Sequence, residues 1–236
     1  MVIRQKNGPE PTLSSLPLPK GAIFDLDGTL LDSMEVWADI DRRFLQKRGI
    51  EVPKDYLRII TPMGFAGAAD YTIERFGLKE NPQDIMAEWD QMAEELYRKE
   101  VRLKPGAEEL LQYFHRHGVK LALATAAMPN LFEPALQNNG VYDLFDAFAF
   151  VREVPRQKGY PDVYLLAAER LGLTASDCMV FEDIAAGIRG AKMGGFFACG
   201  VYEPASAHEA EQIRSAADLY LQSFGQLLDL FQGTLE

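Results

Sequence analysis

The stretch Lys20-Gly-Ala-Ile-Phe-Asp25-Leu-Asp27-Gly28-Thr29-Leu-Leu-Asp32-Ser33 decides the fold. Its first half is a short apolar run that ends in acid. Its second half is rich in Asp and Gly, residues that let a chain turn sharply. An apolar run of this length reads as a strand buried on both faces of a sheet. Similar runs stand at residues 120–125, 147–151, 178–181 and 196–199. Helical patterns lie between them. Pro105-Gly106 opens one with Leu110, Leu111 and Phe114 on a face, closed by Gly118. Pro161 opens another with Val163, Leu165, Leu166, Ala168 and Leu171, closed by Gly172. A third runs from about Ala185 to Gly194. This alternation predicts an α/β fold: a Rossmann-like parallel sheet with helices on both faces. Further on, Leu219-Tyr220-Leu221 reads as a short edge strand, and Ser223 as the cap of a last helix carrying Phe224, Leu227, Leu228 and Leu230.

One interval breaks the alternation. From Ser33 to about Leu103 there is no strand pattern but a series of helical ones, at 34–48, 65–76 and 82–99. They carry Trp37, Phe44, Trp89 and Tyr97, aromatics expected in a core of their own. The interval predicts an all-helical cap domain inserted after the first strand, over residues 34–100. The core domain is then 20–33 together with 101–236. Residues 63–65, after Pro62, are expected to face the substrate. Residues 1–19, with Pro9, Pro11, Pro17 and Pro19, read as a loosely held tail.

The 236 residues carry a net charge of -11. That argues against a nucleic-acid binder, which needs a basic face. It does not exclude a phosphate ester, because a small site can be locally positive. No apolar run reaches the roughly 18 residues of a membrane span. Cys178 and Cys199 lack zinc or redox spacing and read as reduced, buried thiols of a cytoplasmic protein. His115 and His117 flank Arg116 and read as basic residues at a helix C-terminus rather than metal ligands.

Ligands of open parallel sheets bind beyond the carboxyl ends of the strands. There the sequence sets Asp25 and Asp27 after the first strand, Thr125 after the second, Arg152, Arg156 and Lys158 after the third, and Glu182-Asp183 after the fourth. Clustered carboxylates need a cation, and oxygen ligands beside a phosphate select Mg²⁺. Asp25 is placed to attack phosphorus, giving an acyl phosphate that water later hydrolyses. Asp27 is placed to protonate the departing alkoxide and then take a proton from water. The amides of Leu26, Asp27 and Gly28 are expected to cradle phosphate oxygens, with Thr125 and the Ala126 amide on the other side. Lys158 offsets the charge of nucleophile and phosphate. At roughly 5–7% usage per residue type, Asp-x-Asp-Gly-Thr arises by chance at about 10⁻⁵ per position, so the motif carries weight.

These motifs resemble those of the haloacid dehalogenase-like hydrolases, in the branch of beta-phosphoglucomutase and phosphoglycolate phosphatase. Phe24–Ser33 is similar to the first motif, Thr125 falls at the second, Lys158-Gly-Tyr-Pro-Asp162-Val-Tyr164 is similar to the third and Phe181-Glu182-Asp183-Ile-Ala-Ala-Gly187-Ile188 to the fourth. The resemblance implies Mg²⁺ held by Asp25, the backbone carbonyl of Asp27 and Asp183, with Glu182 supporting through water. It also implies a cap that closes over a small phosphorylated metabolite, sugar phosphates among the candidates. Two departures stand out: Gly159 where proline is usual, and Ile184 where a small hydroxyl residue is common. Mutases of this branch follow the second-motif hydroxyl with a serine and a lysine; here Ala126, Ala127 and Met128 follow. That favours a phosphatase. The alternatives are a phosphomutase, with Arg42, Arg43, Arg58 or Arg75 holding a second phosphate, and a non-catalytic phosphate-binding protein. No nucleic-acid or membrane partner is expected, and a monomer is.

Overall fold

A computed structural model describes residues 2–3, 16–60 and 63–233. It resolves into two compact units: Met1–Asp32 with Arg102–Glu236, and Ser33–Val101.

The first unit is a seven-stranded sheet. Its strands are β1 (Val2–Ile3), β2 (Gly21–Phe24), β5 (Lys120–Thr125), β6 (Ala147–Phe150), β7 (Cys178–Glu182), β8 (Phe197–Val201) and β9 (Leu219–Leu221), in the order β1-β9-β8-β7-β2-β5-β6. All pairings are parallel except that of β1 with β9. The central strands are wholly buried, which is why they read as unbroken apolar runs rather than alternating ones. Successive side chains serve opposite layers. Ile23, Ala122 and Val180 join a cluster with Val163, Tyr164 and Ile188 of helices α7 (Asp162–Leu171) and α8 (Ala185–Met193). Phe24 stacks on Phe181 with ring centroids 4.4 Å apart. Phe114 of α5 (Ala107–Arg116) and Phe224 of α10 (Phe224–Gln232) pack against that pair.

Among its described residues the second unit holds four helices: α1 (Met34–Lys47), α2 (Tyr56–Ile60), α3 (Gly64–Phe76) and α4 (Pro82–Lys99). Asn81 starts α4 by accepting the Asp84 amide at 2.9 Å, with Pro82 in the first turn where its missing N–H costs nothing. Phe44 packs edge-on against Trp89 at 5.4 Å. Arg48 covers Phe44 and pairs with Glu80 and Glu88 at 2.8 and 2.6 Å. The chain leaves and re-enters the first unit through two short strands, β3 (Leu31–Asp32) and β4 (Arg102–Leu103), which pair antiparallel.

The α/β parallel core is as the apolar runs predicted. Several details differ. Val2 and Ile3, assigned to a loose tail, add a strand outside β9, so Leu219–Leu221 is not the edge. The rest of that tail through residue 15 lies outside the described residues. Ser223 stands at the N-cap of α10 but makes no side-chain cap bond. Trp37 is 39% exposed, whereas Phe44, Trp89 and Tyr97 are buried. Of the stretch expected to meet substrate, Pro62 lies outside the described residues, while Met63 and Phe65 are exposed. Helix α2 joins the three named patterns inside the interval expected to be helical, whereas α6 (Pro129–Asn138) and α9 (Ala210–Ala216) were not anticipated.

Candidate active site

The two central strands leave the sheet in step. Phe24 pairs with Phe181, so Asp25 and Glu182 emerge side by side, and the Asp25 amide still donates to the Phe181 carbonyl at 3.0 Å. Asp183 follows. Asp25, Glu182 and Asp183 each offer an oxygen within 4.8 Å of the others, and all three are buried. Burial, then the neighbouring Asp25 charge, raises the pKa of Glu182 and of Asp183.

Among the described residues, one cation reaches this cluster. Lys158 arrives on the loop before α7; its Nζ contacts Asp25 Oδ1 and lies 2.8 Å from Glu182 Oε1. Burial disfavours the ammonium, yet the two carboxylates outweigh it and hold the Lys158 pKa above its ordinary value. Tyr164 donates to Glu182 Oε1 at 2.7 Å, while the buried Glu182 Oε2 has no hydrogen-bond partner. Arg156, which shares that loop, pairs with Asp162 at 2.9 Å instead.

The turn after Asp25 needs Gly28, whose φ of 80° is left-handed. Its amide donates to the Leu31 carbonyl at 3.1 Å, and the carbonyl of buried Leu26 accepts from Leu30 and Leu31 at 2.9 Å each. The turn carries Thr29 back over the acids. Its hydroxyl donates to Asp183 Oδ1 at 2.8 Å and lies 3.4 Å from Asp25 Oδ2. Asp27 is half-buried and is not one of the three converging carboxylates. On the other side of β2, Thr125 ends β5, 1% exposed, and its Oγ1 accepts the Ala127 amide at 2.9 Å. Ala126 is exposed.

Two glycines of α8 make room for this arrangement. A Cβ on Gly187 would stand 2.3 Å from the Glu182 carboxyl carbon. One on Gly190 would stand 2.1 Å from the Lys158 carbonyl oxygen. Sequence reasoning assigned no role to Thr29, Tyr164, these glycines or Ser206, whose hydroxyl donates to Asp183 Oδ2 at 3.1 Å. Only the Gly-x-x-Gly spacing after the acidic pair hinted at close packing there.

The donor set is all oxygen, and three carboxylates face one ammonium. With a buried carboxylate oxygen still unpartnered, the cluster fits a hard divalent cation.

Comparison with known proteins decides the family. The model of the haloacid dehalogenase-like hydrolases matches residues 19–195. The chain belongs to the haloacid dehalogenase-like hydrolases. Validoxylamine A 7'-phosphate phosphatase of Streptomyces hygroscopicus subsp. limoneus is 30% identical over 213 residues, covering 88% of this chain and 95% of the relative. Hexitol phosphatase A of Escherichia coli is 28% identical over 210 residues, covering 88% and 93%. Among solved structures, CbbY of Rhodobacter sphaeroides in complex with phosphate superposes with a TM-score of 0.70 at 25% identity, covering 89% of this chain and 96% of that one. This haloacid dehalogenase-like hydrolase is thus an enzyme of the phosphoric monoester hydrolase class. Among its described residues, no helix is long and apolar enough to cross a membrane.

Proposed function

We propose that the chain is a Mg²⁺-dependent phosphatase that transfers the phosphoryl group of a small metabolite to Asp25 and then to water. The observation that carries this reading is the convergence of Lys158 on Asp25 and Glu182 at the strand ends, beside Asp183. Lys158 occupies Asp25 Oδ1. That leaves Oδ2 to attack phosphorus as the ester oxygen departs. Asp27 gives that oxygen its proton, and the product alcohol leaves. Asp27, now a carboxylate, takes a proton from water as the water attacks the acyl phosphate. Inorganic phosphate leaves and Asp25 is restored. Lys158, Thr125 and the amides of Leu26, Asp27 and Ala126 stabilise the transferring oxygens; the Gly28 amide, expected to join them, is taken up by the Leu31 carbonyl within the turn. Asp25, the Asp27 carbonyl and Asp183, with Glu182 behind them, would hold Mg²⁺, whose charge there offsets that of the phosphoryl oxygens.

The helical unit Ser33–Val101 is read as a cap that closes over the substrate and keeps bulk water out during the first step. The names of the relatives favour a sugar or polyol phosphate. Simple hydrolysis is favoured over mutase action. Ala126, Ala127 and Met128 have no side chain that grips a second phosphate, and three of the insert's arginines are engaged: Arg42 with Asp39, Arg43 with Asp39 and Glu100, Arg75 with Asp55. The side chain of Arg58 lies outside the described residues. A monomer in the cytoplasm, where buried Cys178 and Cys199 stay reduced, completes the reading.

The test is phosphate release from a panel of sugar, polyol and small organic-acid phosphates, with Mg²⁺ and with EDTA. Release that needs Mg²⁺ and is lost in Asp25→Asn is expected. Equal release with EDTA would refute the metal requirement.

A further inference from the structure

The three buried acids are not held alike. Asp25 and Glu182 both bond Lys158. Asp183 is held by neutral hydroxyls, Thr29 on Oδ1 and Ser206 on Oδ2, and it has no ion pair among the described residues. Each hydroxyl fixes one oxygen and leaves its second lone pair for a cation. A neutral donor orients the carboxylate without spending its charge.

Ser206 is itself anchored. It sits 6% exposed in the loop after β8, its amide donating to the Glu203 carbonyl at 3.1 Å. Glu203, 4% exposed, accepts the Ala205 amide at 3.1 Å and pairs with Lys104 at 2.6 Å. Lys104 also donates to the Tyr202 carbonyl at 2.8 Å, and its amide to the Leu30 carbonyl of the catalytic turn at 2.9 Å. Three residues past Ser206, Glu209 accepts the amide of Ala185 at 2.8 Å, two residues beyond Asp183. Residues 202–209 therefore grip Asp183 twice, at its carboxylate and at the backbone that follows it.

We propose that Ser206 is a positioning residue for the divalent cation, presenting Asp183 in the orientation that binds metal, with the Lys104–Glu203 ion pair as its anchor. The inference rests on the proposed Mg²⁺-dependent reading of the site. Partners behind a metal ligand typically set affinity by 10–100-fold.

The test is Mg²⁺ titration of the purified full chain by calorimetry, without substrate, on the natural protein, Ser206→Ala and Glu203→Gln. Melting in EDTA gives the stability of each without metal. Ser206→Ala is expected to weaken Mg²⁺ binding about tenfold, with its melting point in EDTA close to that of the natural protein. The substrate KM at saturating Mg²⁺ is expected to be unchanged. Glu203→Gln is expected to weaken Mg²⁺ binding in the same direction. If Ser206→Ala binds Mg²⁺ within twofold of the natural protein, the positioning role is overturned and the phosphatase reading stands. If the natural protein binds no Mg²⁺, both fall.

Discussion

Gly190 lies in the interior of α8, where alanine would ordinarily stabilise a helix by about 0.5–1 kcal/mol. Here the outcome is expected to be the reverse for activity. An alanine Cβ would stand 2.1 Å from the Lys158 carbonyl oxygen and 2.7 Å from that of Tyr160. A carbon meets a carbonyl oxygen comfortably only at about 3.3 Å, so the loop must retreat by about 1 Å. Both obstacles are backbone atoms, and no side-chain rotation relieves them. Lys158 Nζ, now 2.8 Å from Glu182 and in contact with Asp25, moves with its backbone. A misplacement of about 1 Å in such a group costs on the order of 10²-fold in rate, or about 2.7 kcal/mol of transition-state stabilisation. The assay is kcat for Mg²⁺-dependent phosphate release. Gly159→Ala serves as control, because its Cβ meets nothing closer than Arg189 at 3.8 Å. Gly190→Ala with kcat within twofold of the natural protein would refute the claim that α8 sets the position of Lys158.

Two further outcomes are expected. Asp41, 8% exposed on α1, has its pKa raised from 3.8 to about 7 by burial. The native state then keeps a proton that the unfolded chain loses first, so stability falls as pH rises from about 4 to 7 and is level above, by on the order of 4 kcal/mol. Asp41→Asn should flatten that slope and raise stability at pH 8, as read by urea unfolding at both pH values; a slope unchanged in the variant would contradict it. Tyr164→Phe removes one of the donors to buried Glu182 and should cost about 1–3 kcal/mol of stability, measured by denaturant unfolding in EDTA; no loss would mean that the bond contributes nothing net.

What was legible in the sequence follows from where the physics is local. Strands β2, β5 and β7 are buried on both faces, so each shows as an apolar run, and the polar residue that ends it marks the site. Asp25 and the Glu182-Asp183 pair, which converge in the structure, were legible that way, and Thr125 was read by the same rule at the end of β5. Lys158 was found through its motif, and the structure brings it onto Asp25. The strands Val2–Ile3, Leu31–Asp32 and Arg102–Leu103 have two residues each, too few for any period to register. Helix α6 contains Pro134, which reads as a helix breaker. Ser206 stands in a polar, alanine-rich stretch and meets Asp183 across 23 residues; Thr29 meets it across 154. No local pattern encodes such pairings. Tyr164 showed only as part of a helix and a motif, because its hydroxyl's partner, Glu182, lies on strand β7.

Everything proposed for this site turns on the phosphoryl group passing through Asp25. The most direct measurement is mass analysis of the peptide containing Asp25 after acid quench during turnover of p-nitrophenyl phosphate with Mg²⁺. This peptide is expected to gain the mass of one phosphoryl group, and Asp25→Asn to show neither the gain nor turnover. Full turnover by Asp25→Asn, with no phosphoryl group on the natural peptide, would contradict it.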